Sequence, residues 1–177
     1  MLLAATTTAA SAVTVTETIT GSYGKGELVS VTFELGAGAT FLDLITDGSL
    51  DANDGVSRAD TLIALYAGTD PGAPLVAQDD DGGEGPASRI GLSGTVPGAG
   101  LYTLILGNFG FGVGADLGGV SFGGVRNVNY VLTIETDATL DVTGVELLAP
   151  VPLPASAALL GGGLALLGLG GMLRRRA

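Results

Sequence analysis

Between residues 13 and 148, apolar and polar side chains alternate in short runs, and glycine breaks each run before it can lengthen. A period of two puts alternate side chains on opposite faces of a strand, and it suits a half-buried sheet rather than a helix. Val29, Val31, Phe33 and Leu35 would share one face, with Ser30, Thr32 and Glu34 on the other. Residues 127–135 repeat the device, with Val128, Tyr130, Leu132 and Ile134 opposite Asn129, Thr133 and Glu135, and only Val131 interrupts the polar side. Further strands are expected over 13–19, 41–45, 61–66, 75–78, 90–93, 101–106 and 141–147. No helical period of useful length occurs before residue 149. Nine short strands separated by turn signals predict an all-β domain over 13–148, an antiparallel jelly-roll-like β-sandwich in which two inner faces share one core. With 5% aromatic and 46% hydrophobic residues, that core must be mostly Val, Leu, Ile and Ala.

At 177 residues the chain is one domain with additions. It has no His and no Cys, which excludes Ser-His-Asp and Cys-His catalysis, thiolate zinc sites and disulfides. Carboxylate-pair chemistry stays formally open, but nothing singles out an acid and a base, so the expectation is a protein that is not an enzyme. Acids outnumber bases 18 to 7, and a surface of that sign repels a polyanion, so no nucleic-acid partner is expected.

The charges divide the chain. All 18 acids lie between Glu17 and Glu146, where only Lys25, Arg58, Arg89 and Arg126 oppose them, a net of −14. The other cations, Arg174, Arg175 and Arg176, stand together at the C-terminal end. Between them and the acidic part lie 19 uncharged residues, 155–173, with seven Leu and six Gly. As a helix they would span roughly 28 Å, just enough for a bilayer core, and the Arg cluster would stay cytoplasmic. One C-terminal transmembrane helix is therefore expected, with the acidic domain on the outer side.

Val151, Pro152, Leu153, Pro154 and Ala155 precede that stretch. Two prolines at this spacing hold the peptide extended and accessible. Within the tail 149–177, a short proline motif, an apolar stretch expected to be helical and a terminal Arg cluster, in that order over residues 151–177, closely resemble the PEP-CTERM class of sorting signals in its VPLPA form. The resemblance implies an exosortase as partner, a membrane peptidase of Gram-negative bacteria that cuts near the motif. It also implies transient anchoring in the inner membrane, then delivery to the cell surface or the extracellular polysaccharide matrix. Residues 1–12 carry a small-residue cleavage site, Ala10-Ser11-Ala12, but only a short apolar run from Leu2 to Ala5. They are expected to be the end of a signal peptide whose start lies upstream.

The segment 27–107 resembles the bacterial pre-peptidase C-terminal domain, a small β-sandwich of secreted proteins. VSVTFELGAGATFLDL, DTLIALYAG, LVAQDDDGGEG and GAGLYTLILGN carry the likeness, and NVNYVLTIE is similar to that fold's last strand. An insertion over residues 107–124, with eight Gly in 18 residues, departs from the pattern and is expected to be a flexible loop.

Two loops concentrate acids: Asp47, Asp51, Asn53, Asp54 and Asp60 in one, Asp79, Asp80, Asp81 and Glu84 in the other. Clustered Asp and Asn among turn glycines is the oxygen-rich chemistry that Ca²⁺ requires, so Asp47, Asp51, Asn53, Asp54, Asp60, Asp79, Asp80 and Asp81 are candidate metal ligands should the loops meet at one end of the sandwich. Solvated acidic turns are the competing reading. Sugar binding through Tyr23, Tyr66, Tyr102, Phe109 or Phe111 is the alternative function, a module tethering cells to exopolysaccharide.

Overall fold

The computed structural model describes residues 13–150 apart from Thr95 and Val125, so the signal-peptide, transmembrane and sorting-motif expectations lie outside the described residues. Ten strands are present in chain order: β1 (Val15–Tyr23), β2 (Leu28–Leu35), β3 (Phe41–Ile45), β4 (Leu50–Asp51), β5 (Thr61–Ala67), β6 (Leu75–Asp79), β7 (Arg89–Ser93), β8 (Gly100–Asn108), β9 (Val128–Thr136) and β10 (Leu140–Leu148). The described part is all-β, relieved only by a 3₁₀ turn at Leu117–Gly119. Every pairing is antiparallel. One sheet has the order β1-β9-β3-β7, with β4 also on β9; the other runs β10-β2-β8-β5-β6.

Both sheets turn apolar faces to a common core. Val29, Val31, Phe33 and Leu35 of β2, with Ile63 and Leu65 of β5 and Leu104 and Leu106 of β8, meet Leu42 and Leu44 of β3 and Val128, Leu132 and Ile134 of β9. The Phe33 and Tyr102 rings stack with centroids 5.8 Å apart. Burying these side chains is worth roughly 1.5–3 kcal/mol each, and it is this term that fixes the register, because a one-residue slip would turn every one of them to water.

Strand β1 runs four residues beyond its expected end. Gly21 reads as a break in the sequence, yet a Cβ there would fall 2.6 Å from the Tyr130 hydroxyl, so glycine is what lets the two strands lie together. Strand β4 was not expected at all, since two residues cannot show a period.

The insertion differs more deeply from the flexible loop expected. It folds over the outer face of the second sheet and completes a second core, in which Phe111, Val113, Leu117 and Val120 cover Leu28, Ala64, Tyr66 and Ile105. Leu117 N donates to Ala73 O at 2.9 Å, and Leu75 N donates to Ala115 O at 3.0 Å, which fastens the segment to the turn between β5 and β6. Its glycines serve close approach. A Cβ on Gly114 would lie 2.6 Å from Gly119 backbone, and one on Gly123 would lie 2.2 Å from the Gly110 carbonyl oxygen.

Candidate functional site at the acidic end

Strand pairing decides where the two acidic loops go. Ile45 at the end of β3 pairs with Arg89 at the start of β7, and Ile63 near the start of β5 pairs with Asp79 at the end of β6. The β3–β5 and β6–β7 loops therefore leave the sandwich at the same end. A buried hydroxyl cluster locks them together: Thr46 and Thr61 Oγ1 lie 2.7 Å apart, Thr61 Oγ1 and Ser88 Oγ 3.1 Å. Ser88 N donates to both threonine oxygens, and Ser88 Oγ donates to Thr61 O at 2.6 Å. Three polar side chains with no water access are tolerated because each meets a partner.

Most of the expected metal ligands are occupied as braces within this loop pair. Asp47 Oδ1 accepts from Glu84 N at 2.7 Å across the two loops, and Glu84 pairs with Arg58 at 2.7 Å. Asp51 accepts from Asn53 N at 2.9 Å and Asn53 Nδ2 at 2.7 Å, and Arg126 Nη1 donates to its other oxygen at 2.7 Å. Asp54 accepts from Val56 N and Ser57 N, each at 2.9 Å, and from the Ser57 hydroxyl. These donors hold the Asp54 carboxyl down at about 2, chiefly through the Ser57 hydroxyl. Asp79 Oδ2 accepts from Gly82 N at 2.6 Å and Arg89 N at 2.8 Å.

Asp60, Asp80 and Asp81 stand apart: among the described residues, no hydrogen bond or ion pair engages their carboxylates. Burial pushes the Asp60 carboxyl up, the charges of Asp81 and Asp80 push the same way, and Arg126 opposes them. The structure brings both loops together, as the calcium expectation required, but among the described residues no three acidic side chains gather closely enough to hold an ion by themselves.

Two concavities border this end. A cleft of about 370 Å³ is lined by Leu62, Gln78, Asp79, Asp80, Phe111 and Val113, so the folded insertion forms one wall. A smaller one of about 150 Å³ is lined by Asp60, Asn108, Phe109 and Arg126. Of the rings considered for sugar stacking, Tyr23, Tyr66, Tyr102 and Phe111 are buried, and only Phe109 is exposed, at 57%. Burial raises the tyrosine phenols above their ordinary value, and the Tyr102 and Tyr66 hydroxyls donate to the Gly98 and Gly114 carbonyls. Sequence reasoning missed Asn108, Arg126 and the hydroxyl cluster, because each owes its place to pairing between segments far apart in the chain.

No protein-family model matches the chain, and no curated protein matches it. The two resemblances therefore rest on the residues quoted for them.

Proposed function

We propose that this chain is an exported, non-enzymatic cell-surface or extracellular-matrix protein, sorted by its C-terminal tail and cleaved by an exosortase. One observation carries the reading: Val151-Pro152-Leu153-Pro154-Ala155, then 19 uncharged residues, then Arg174 to Arg176, in that order. Each part is common alone, whereas the ordered set suits presenting an extended peptide to a membrane peptidase while the apolar stretch 155–173 anchors the substrate, an anchor that is never cut being the competing reading. The acidic sandwich in front supports a passive cargo, since the Asp47, Asp51, Asp54 and Asp79 carboxylates are used as loop braces and its tyrosines are buried. Its strand order supports the jelly-roll description. With β4 and β10 set aside, the first, eighth, third and sixth strands form one sheet and the second, seventh, fourth and fifth form the other.

Calcium belongs to this reading as an ion that offsets the charge of the acidic end. A second reading, attachment to a neutral polysaccharide, is favoured by the 370 Å³ cleft, where Gln78 and Asp80 line a mostly polar wall beside Leu62, Phe111 and Val113. Equilibrium binding to neutral glycans separates the two.

Expression of the chain behind a complete signal peptide, in Gram-negative cells with and without an exosortase, tests the main reading. Intact mass should show a product lacking Arg174 to Arg176 outside the inner membrane only when the peptidase is present, and the uncut chain in that membrane otherwise. Full-length protein in the cytosol of both strains would overturn it.

A further inference from the structure

The outer face of the first sheet has a gap in its edge strand. β7 ends that sheet and pairs with β3, and their inward side chains Leu42, Leu44 and Ile90 belong to the core. Phe41 and Asp43 of β3 and Arg89, Gly91 and Ser93 of β7 therefore share the outer face. Gly91 stands directly opposite Asp43. Its φ is not positive, and a Cβ built on it would meet only Asp43 Oδ1, at 3.7 Å, an ordinary contact. Neither backbone conformation nor crowding requires glycine here, unlike at Gly21, Gly114 and Gly123, and a glycine inside a strand weakens it. The missing side chain leaves a groove of about 190 Å³, bordered by Phe41, Asp43, Arg89, Gly91 and Ser93.

The polar groups at the gap are held in place. Arg89 reaches diagonally across the two strands to Asp43: its Nε donates to Oδ1 at 3.0 Å and to Oδ2 at 3.1 Å, and its Nη2 donates to Oδ2. The Asp43 side chain is 13% exposed and that of Arg89 49%, so the carboxylate is sunk in the sheet and the guanidinium forms the rim. Among the described residues Arg89 Nη1 has no acceptor, while Asp43 Oδ1 borders the gap. Donor and acceptor thus stand side by side on a neutral pair, with the half-buried Phe41 two residues along β3.

We propose that this groove binds one unit of a neutral polysaccharide, with Arg89 and Asp43 as donor and acceptor to neighbouring hydroxyls and Phe41 against the sugar's C–H face. The proposal rests on the polysaccharide reading and adds to it a site on the opposite sheet from the 370 Å³ cleft. A hydroxyl both donates and accepts, so vicinal hydroxyls use both ends of an ion pair without breaking it. The surroundings disfavour an anionic chain, because Asp47 and Glu135 add to the negative field that Asp43 places on Arg89, and the domain as a whole is acidic. A cationic ligand would have to displace Arg89 from Asp43. The volume is below the roughly 300–1,000 Å³ of sites that enclose a whole small molecule, which suits a single unit of a chain lying across the sheet.

Isothermal titration of the full chain, in a detergent without a sugar headgroup, with cellohexaose, isomaltohexaose, mannohexaose and an oligogalacturonate reads the site. At least one of the three neutral sugars should bind, and the oligogalacturonate should not. Gly91→Ala, whose Cβ has room, should melt no lower than the natural protein and bind that sugar more weakly, and Gly91→Thr, which suits a strand and fills the groove, should weaken it at least about tenfold. In ¹⁵N spectra of the natural protein, the Arg89 Nε–H resonance should move during the titration. No binding of any neutral sugar would sink both this site and the polysaccharide reading. Binding that both Gly91 variants retain in full would sink this site alone and leave the cleft on the other sheet. Equal binding of the oligogalacturonate would overturn the choice of a neutral chain. A Gly91→Ala protein melting well below the natural one would show that the fold itself requires this glycine, and would overturn the proposal.

Discussion

Asp54 shows how a side chain that looks like a ligand becomes a brace. It sits in Asp51-Ala52-Asn53-Asp54-Gly55, where dense oxygens suggest a metal loop, yet its two oxygens accept three donors from its own next turn. This is the Asx-turn habit of Asp and Asn, local enough to form without the rest of the fold. The sign of its contribution follows from its position at about 2, below the ordinary 3.8. A carboxyl held lower in the folded state stabilises the protein above the unfolded value, and the contribution fades as pH falls through the folded one. Asp51 and Asp137 are shifted the same way by Asn53 and Arg126 and by Thr40, respectively. Asp60 is shifted up, so its protonation on acidification acts in the opposite sense. The melting temperature should therefore fall between about pH 4 and 2, and Asp54→Asn, which keeps an acceptor but cannot titrate, should fall less steeply. Identical slopes in the two proteins would show that the Asp54 turn is not coupled to folding. That the acids cluster was legible in the sequence; which of them are spent was not, because Arg126 and Glu84 reach theirs from other loops.

At the scale of elements, legibility tracks the length of the alternating pattern. Strands β2 and β9 could be read almost to the residue, since four apolar positions in each lie on one face of the core. Strand β4 and the insertion could not, for different reasons. β4 exists only because β9 offers it a partner, Leu50 opposite Asn129 and Asp51 opposite Val128. In the insertion, glycine content suggested freedom, while the informative signal was the spacing of Phe111, Val113, Leu117 and Val120 among those glycines. A segment of this composition orders when a waiting apolar face offsets its backbone entropy, and the outer side of β5 and β8 is such a face. Phe111 is the largest side chain it contributes, and Phe111→Ala should cost about 3–5 kcal/mol in urea denaturation. Phe109→Ala, two residues away and exposed, should stay within about 0.5 kcal/mol of the natural protein. Equal and small effects would mean that the insertion does not add to the core.

Over the whole molecule, the charge is the property that packing leaves uncompensated. The part up to residue 150 carries 18 acids against four cations, and three of those four cations, Arg58, Arg89 and Arg126, are already paired with Glu84, Asp43 and Asp51. The Arg58–Glu84 pair is exposed enough to be worth little, and against three pairs the excess of acids leaves salt few attractions to weaken and many repulsions to screen. The Debye length shrinks from about 30 Å at 0.01 M to about 8 Å at 0.15 M, below the width of a sandwich of this size. Raising NaCl across that range should accordingly raise the melting temperature, and a fall would show that the ion pairs outweigh the repulsion. The increase should be gradual and the same for NaCl and KCl, because screening depends on ionic strength alone. Calcium bound at the acidic end should produce its shift at millimolar concentration on a background already at 0.15 M NaCl, and magnesium at the same ionic strength should produce less, since it sheds its waters more reluctantly. Screening and site binding therefore separate in one set of melts: the first follows ionic strength, the second follows the identity of the ion.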